Sequence, residues 1–371
     1  MNKLIFLWAL ALCFWLPPLN LQGQIQNRPQ GVPPDLRQEV TDLLDEASRS
    51  SKEAAPTLIP RLEEYLPILE QQEDFFLIGR SRLVLGKLLA SQEDFSALRE
   101  AVNQYLAAAS AFEAANDLPS LATSHLLAGE GFMFFKDYSQ AIQHILQALA
   151  RFEVMEDSVA VMRCCQLLAE SFFQTQAWIE AEKYARRSEE MARHGGLDSV
   201  LVSSLTRLGQ VNHMQGRSDI AMAYLSEAHQ MAKDLQFENQ MAGISNLMGR
   251  ISFDRNQVSR ARTLHQQALK HARLRPDPIQ KAHAFLGLAK SNDWGTDGAK
   301  VKPWLDSALF TGRQHDLESV VLEAYDTYAS AYLDLAQVDS FRKYQSLSKD
   351  LQSDLDERAQ ANLIKRIGAK I

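Results

Sequence analysis

The chain reads as all-α, a solenoid built by stacking antiparallel helix pairs, and three observations predict it. The first is a recurrence of small residues at a step of 40: Ala108, Ala148, Ser188, Ala228, Ala268, Ala308 and Ser348 form one series. Gly129, Ala169, Gly209, Gly249, Ala289 and Ala329 form a second, and Ala101, Ala141, Ala181, Ala221 and Ala261 a third that ends in Val301 and Phe341. The second observation is the spacing inside one unit. Gly129 stands 12 residues before Ala141, and Ala141 stands 7 before Ala148, with the turn-like Lys136-Asp137-Tyr138 between the first two. The same break recurs at Gln176-Ala177-Trp178, Gly216-Arg217-Ser218 and Arg255-Asn256-Gln257. A separation of 7 keeps two residues on one helical face two turns apart, so the small side chains mark where a neighbouring helix backbone approaches. The third observation is composition: 17 Gly and 12 Pro in 371 residues disfavour turn-rich β architectures. Self-similarity at such a period is the mark of a stacked, quasi-one-dimensional fold.

The elements follow in chain order. Lys3 precedes a nearly unbroken apolar run from Leu4 to Leu16, closed by Pro17-Pro18. These 13 residues suit a secretory h-region and fall short of the roughly 20 that a helix needs to cross a bilayer. Residues 1–23 are therefore expected to be a signal peptide, with Gly23 before the cleavage point. The rival readings are an uncleaved anchor and a lipid-modified Cys13, the latter disfavoured by the bulky Leu12 before it. Residues 24–34 form a Pro-containing linker, and Asp35 is expected to cap the first helix with Gln38 closing a capping box. The solenoid is expected over residues 35–353, in about seven to eight repeats. The unit around Leu85-Gly86 holds three extra residues before Ala101, which predicts a longer loop. Gly295, Gly298 and Pro303 predict an irregular turn. Residues 354–371, with Leu363, Ile364, Ile367 and Ile371 as an apolar stripe, are expected to cap the open end; a partner-binding or coiled-coil segment is the alternative.

Ala128-Gly129 with Phe132, Tyr138, Ala141 and Ile145 makes the fullest single unit; Leu208-Gly209 with Ala221 and Leu225, and Met248-Gly249 with Ala261, follow the same outline. On these residues the chain resembles the tetratricopeptide repeat family over roughly residues 75–353. The step of 40 exceeds the usual 34 or so, and such long repeats resemble the MalT-like class of bacterial regulators and of some extracytoplasmic sensor regions of histidine kinases. Asn292 departs from the pattern, standing where an aromatic is usual. The resemblance implies a superhelix whose concave wall is lined by the first helix of each unit. Carried onto matching positions, it implies partner-binding roles for Glu130, Phe134, Arg163, Glu170, Phe173, Gln210, His213, Asn246, Arg250 and Phe253, with His283, Lys290 and Asp293 further along the wall. Phe134, Phe173 and Phe253 read equally well as packing residues between units. It implies packing roles for Gly129, Ala141, Ala148, Ala169, Ala181, Gly209, Ala221, Ala228, Gly249, Ala261, Ala268 and Ala308.

Catalytic signatures are lacking in the sequence. His265 and His271 are six apart and miss the i, i+4 face of a helical zinc site. Adjacent Cys164-Cys165 suits neither a redox pair nor a disulfide and reads as buried packing. Asp293-x-Gly295-x-Asp297-Gly298 lacks a third-position oxygen ligand, and Trp304 occupies the place of a bidentate Glu, so calcium is not expected. Gly129-Glu130-Gly131 lacks a third glycine for a dinucleotide loop. Against 46 acidic side chains the 39 basic ones leave a net charge of -7, which offers no basic stripe for nucleic acid. The expectation is a non-catalytic scaffold without cofactor or metal, exported to the periplasm or beyond, that binds a protein or peptide in its groove. Its membrane contact would be only through an uncleaved signal segment. A sensory protein coupled to a separate membrane histidine kinase is the alternative.

Overall fold

The computed structural model describes residues 32–49, 52–92, 94–274 and 276–368. The expected signal peptide, and the linker up to Gly31, lie outside these residues. All regular structure among the described residues is helical, and the helices come in antiparallel pairs. By contacts the chain separates into two compact units, one reaching Val211 and the other starting at Asn212. The first contains α1 (Pro34–Arg49) with α2 (Ala55–Gln71), α3 (Phe75–Ala90) with α4 (Phe95–Ala114), α5 (Leu118–Phe134) with α6 (Tyr138–Val154), and α7 (Ser158–Gln174) with α8 (Trp178–Gly195). Helix α9 (Asp198–Met214) crosses the division. The second contains α10 (Ser218–Asp234), then α11 (Glu238–Asp254) with α12 (Val258–Leu274), α13 (Pro278–Lys290) with α14 (Trp294–Gln314), and α15 (Glu318–Asp334) with α16 (Val338–Gly368).

The helix ends share one device. Residues at steps of 20 close the helices in the left-handed conformation: Asn116, Lys136, Glu156, Gln176, Gly196, Gly216, Gln236 and Asn256, then Asp316 and Ala336. The next residue's N–H then reaches back five residues, as Asp137 N to Phe132 O at 2.9 Å and Phe237 N to Ala232 O at 2.8 Å. This is the Schellman closure, and it satisfies carbonyls that a helix end leaves free. At Asp117, Asp137 and Asp157 the same residue also caps the next helix, its carboxylate accepting from the N–H three residues on. One residue thus ends one helix and starts the next, which holds the connections to three residues.

Helices pack on their chain neighbours, and first helices also touch first helices: α1 with α3, α5 with α7, α11 with α13, and α13 with α15. Ala141, Ala148, Ala181, Ala221, Ala228, Ala261, Ala268 and Ala308 are wholly buried, and Ala169 nearly so. Gly129 and Gly209 are buried too. A Cβ on Gly129 would stand 2.5 Å from Ile145 Cγ1, so α5 and α6 meet at a separation that no larger residue allows. Cys164 and Cys165 are buried free thiols, and burial is the main cause that raises both, Cys165 to about 11.

The structure corrects several expectations. Helix α1 starts at Pro34, so Asp35 lies in its first turn, and the Gln38 amide donates to Asp42 instead of closing a box. Pro suits a first helical position because the missing N–H is unpaired there anyway. The extra residues before Ala101 lengthen α4 to 20 residues, and the connection before it grows only slightly. Gly295, Gly298 and Pro303 lie inside α14, which Asp293 caps through Gly295 N at 2.8 Å. No break falls at residue 353: α16 runs as one helix of 31 residues through the boundary of the expected cap.

Candidate functional site

The first helices carry most of the residues that the repeat pattern assigns to the groove. In the unit that ends at Val211 they are largely bonded to one another. Arg163 of α7 donates from Nε and Nη2 to Glu130 Oε1 of α5, at 3.0 and 2.9 Å. Glu170 of α7 pairs with Arg207 of α9 and accepts from Gln174 at 2.6 Å. The Arg207 guanidinium lies 4.9 Å from the Phe173 ring centre, and Phe173 meets Trp178 edge-on at 5.2 Å. Phe134 is half-buried against Phe135 at 5.4 Å and Phe95 at 6.4 Å. Glu130, Arg163 and Glu170 therefore fasten neighbouring repeats, and Phe134 and Phe173 pack within this lattice. Gln210 is half-buried, with no hydrogen bond to another described residue.

The unit from Asn212 differs. His213 faces Asp254 of α11 at 3.2 Å through Nε2, and its Nδ1 is buried without a partner among the described residues. Asn246 of α11 is buried; its amide donates to the Gln280 carbonyl of α13 at 2.8 Å, and its oxygen faces His265 Nδ1 at 3.3 Å. His265 of α12 fills a slot between two glycines: a Cβ on Gly249 would come within 2.7 Å of its ring, and one on Gly287 within 2.3 Å. Asn246 is thus a fastener of three helices and not an open ligand. Lys290 of α13 reaches Glu323 of α15 at 2.6 Å and lies 5.7 Å from the Phe253 ring centre.

Arg250 stands apart on this wall. It is exposed and makes no hydrogen bond or ion pair to a described residue. Three histidines feel its charge. Burial first, and then Arg250, hold His213 below its ordinary value. Burial lowers His265 to about 4, helped by His283, Lys290 and Arg250 and opposed by Glu323. Burial also lowers His283, with Glu323 opposing and Arg250 assisting. All three are held below their ordinary value, so Arg250 and Lys290 carry the positive charge on this stretch of wall, and Lys290 is paired with Glu323.

The pattern missed the partners of these residues. Arg207, Asp254, Gln280 and Glu323 complete the ladder, at separations such as 33 for Glu130 to Arg163 and 34 for Asn246 to Gln280. That recurrence, six or seven residues short of the 40-residue step, was the available signal. A second pair, His125 and His144, stacks with Nδ1 atoms 3.1 Å apart, and burial is the first cause that lowers both. Among the described residues no cluster of three or more His, Cys, Asp or Glu is placed to hold a metal ion, and no helix is long and apolar enough to cross a membrane.

No family model matches the sequence, and no curated protein matches it. Solved structures do match. Aspartyl phosphate phosphatase F from Bacillus subtilis is similar at 14% identity and a TM-score of 0.62, over 86% of this chain and 89% of that one. A signal transduction ATPase with numerous domains from Pyrococcus horikoshii, which has a tetratricopeptide repeat sensor, is similar at 13% and 0.59, over 87% of this chain and 53% of that one. NprR in complex with its cognate peptide NprX is similar at 12% and 0.58, over 88% and 94%. At such identities the likeness bears on the fold. The chain has the fold of a tetratricopeptide-like helical repeat solenoid.

Proposed function

We propose that this protein is a non-catalytic scaffold that binds a peptide, or a peptide-like segment of a partner protein, along the first-helix wall of the unit from Asn212. The observation that carries the reading is Arg250, an exposed cation with no hydrogen bond or ion pair to a described residue, on the same helix as Phe253 and one turn before it. An unpaired cation one helical turn from an aromatic residue suits an acidic side chain or a terminal carboxylate followed by an apolar residue. Elsewhere the wall's pairs hold the repeats together. The structural likeness to NprR with its peptide supports a peptide as the ligand class. The concave wall as the binding face, and export to the periplasm or beyond by residues 1–23, are parts of the same proposal. No nucleic acid takes part in it, and any membrane contact would be through that first segment alone.

A second reading, a sensory input protein working with a separate membrane histidine kinase, is supported by the long MalT-like step: α5, α7, α9, α11, α13 and α15 begin at residues 118, 158, 198, 238, 278 and 318. One experiment tests the main reading. A random peptide library is selected on the wild-type chain and on Arg250→Ala/Phe253→Ala, after circular dichroism shows equal helicity. Acidic peptides enriched on the wild type and lost on the variant are expected. Identical peptide sets on both proteins would remove this wall from the function.

A further inference from the structure

The unit from Asn212 has another surface, formed largely by its second helices α12, α14 and α16. Phe310 on α14 is 69% exposed, against 41% for Phe75 and 40% for Phe95. It forms a ridge between two clefts. One is bounded by Arg273 at the end of α12, by Pro278, Lys281 and Phe285 of α13, and by Phe310 itself. The other is bounded by Leu309, Phe310 and Arg313, by Tyr325 of α15, and by Lys343, Tyr344 and Leu347 of α16. A third cleft shares Tyr325 and Leu347 with the second and continues to Leu351 and Asp354. Each shares residues with the next, Phe310 between the first two and Arg313, Tyr325 and Leu347 between the last two, so they form a trough from the end of α12 to the middle of α16.

The two ends of the trough differ in charge. At the α12 end Arg273 is exposed and unpaired among the described residues, and Lys281 lies over the Phe285 ring at 5.8 Å. Two acids share this end, and only Asp306 has a cation as its partner among the described residues. Asp277 accepts from Gln280 N at 3.0 Å, and Asp306 accepts from Lys302 at 2.7 Å and from the Tyr328 hydroxyl at 2.6 Å. At the α16 end Asp350 and Asp354 are exposed, with Glu318 on the same rim. Between the ends Arg313 and Lys343 line the second cleft with Asp306, and in the third Arg313 is outnumbered by Asp316, Glu318, Asp350 and Asp354, so the balance of charge turns acidic only there. Paired clefts astride one aromatic ridge accept two rows of side chains spaced three and four residues apart, as a helix presents them.

We propose that this trough binds an amphipathic helical segment of a partner protein, acidic at the end beside Arg273 and Lys281 and basic at the end beside Asp350 and Asp354. The apolar stripe of that helix straddles Phe310, which supplies the central anchor. The charged ends set the direction of the helix, because exposed ion pairs select orientation more than they add affinity. This surface is independent of the first-helix wall, so either reading can fail alone.

The test is fluorescence anisotropy with labelled peptides on the full chain. The probe is a helical peptide of about 18 residues with Leu along one face, Glu in its first turns and Lys in its last. Its control has the same composition with Glu and Lys interleaved at both ends. Binding of the polarised peptide at least about tenfold tighter than the control is expected, with a loss of about tenfold or more in Phe310→Glu. Arg273→Glu/Lys281→Glu should also lose the polarised peptide and gain a peptide with Lys at both ends. Phe310, Arg273 and Lys281 lie outside the buried core, and Arg250→Ala should leave all of this unchanged. Equal binding of polarised and interleaved peptides, or unchanged binding by Phe310→Glu, would overturn the proposal. A wild-type dimer that Phe310→Glu dissociates would also overturn it, by making a second copy the occupant.

Discussion

His265 shows how single residues set both packing and pH response. Its ring occupies a slot that Gly249 and Gly287 leave open, so a methyl group at either position must displace it. Gly287→Ala is expected to destabilise the chain by about 1–3 kcal/mol in urea denaturation. Gly298→Ala, where an added Cβ meets nothing, should be neutral or slightly stabilising. Equal effects of the two would show that the slot is not tight. The same burial makes acid unfavourable. His265 titrates at about 4 in the folded chain against an ordinary 6.5, so the unfolded chain takes up the proton first as the pH falls. Stability that is whole above about pH 6.5 is therefore lost progressively down to about pH 4, by an amount on the order of 3 kcal/mol for this group. His125, also lowered to about 4, acts in the same direction and window. The denaturation midpoint should fall between about pH 7.5 and about pH 5, and less steeply in His265→Gln. An unchanged slope in that variant would take His265 out of the account.

At the scale of the element, the helix ends carry the regularity. Most residues in left-handed turns here are not glycine, and Ala336, at φ 55, has no side-chain group to offset the strain. The left-handed region costs an L-residue roughly 1–2 kcal/mol, part of which glycine returns as chain entropy in the unfolded state. Ala336→Gly should therefore raise stability by about 0.5–1 kcal/mol, although the same change inside a helix would lower it. A lower thermal midpoint for Ala336→Gly would contradict that reading of the turn. These turns were hard to see in the sequence because only Gly196 and Gly216 announce them. Asp117, Asp137 and Asp157 were the better signal, since a capping carboxylate at steps of 20 has no role in the middle of a helix.

Over the whole molecule, stability is shared between neighbours, and it should fade where neighbours run out. Helix α11 buries ten residues between α10, α12 and α13, whereas α16 buries none between Val338 and Glu357. Amide hydrogen exchange in residues 345–357 should therefore be faster by orders of magnitude than in α11. Comparable protection in the two would mean that α16 is covered by a further contact. The side-by-side first helices explain why the groove residues behave as they do. Once first helix meets first helix, Glu130 has Arg163 in reach and Asn246 has Gln280, and each pairing removes a group from the surface.

The amino-acid sequence by itself determined the helix pairs, their step of 40 and the faces on which they meet. Those depend on side-chain volume at fixed positions, which is visible without coordinates: Gly129 against Ile145 is the same fact read twice. Tertiary structure alone decided which polar residues are spent in fastening repeats and which remain available. Arg163 and Arg250 look alike in the sequence, yet one has a carboxylate of the preceding first helix within 3.0 Å and the other has no partner among the described residues. The reason is physical. Apolar burial depends on the character of a position, whereas a hydrogen bond depends on distances between atoms far apart in the chain, and only packing sets those.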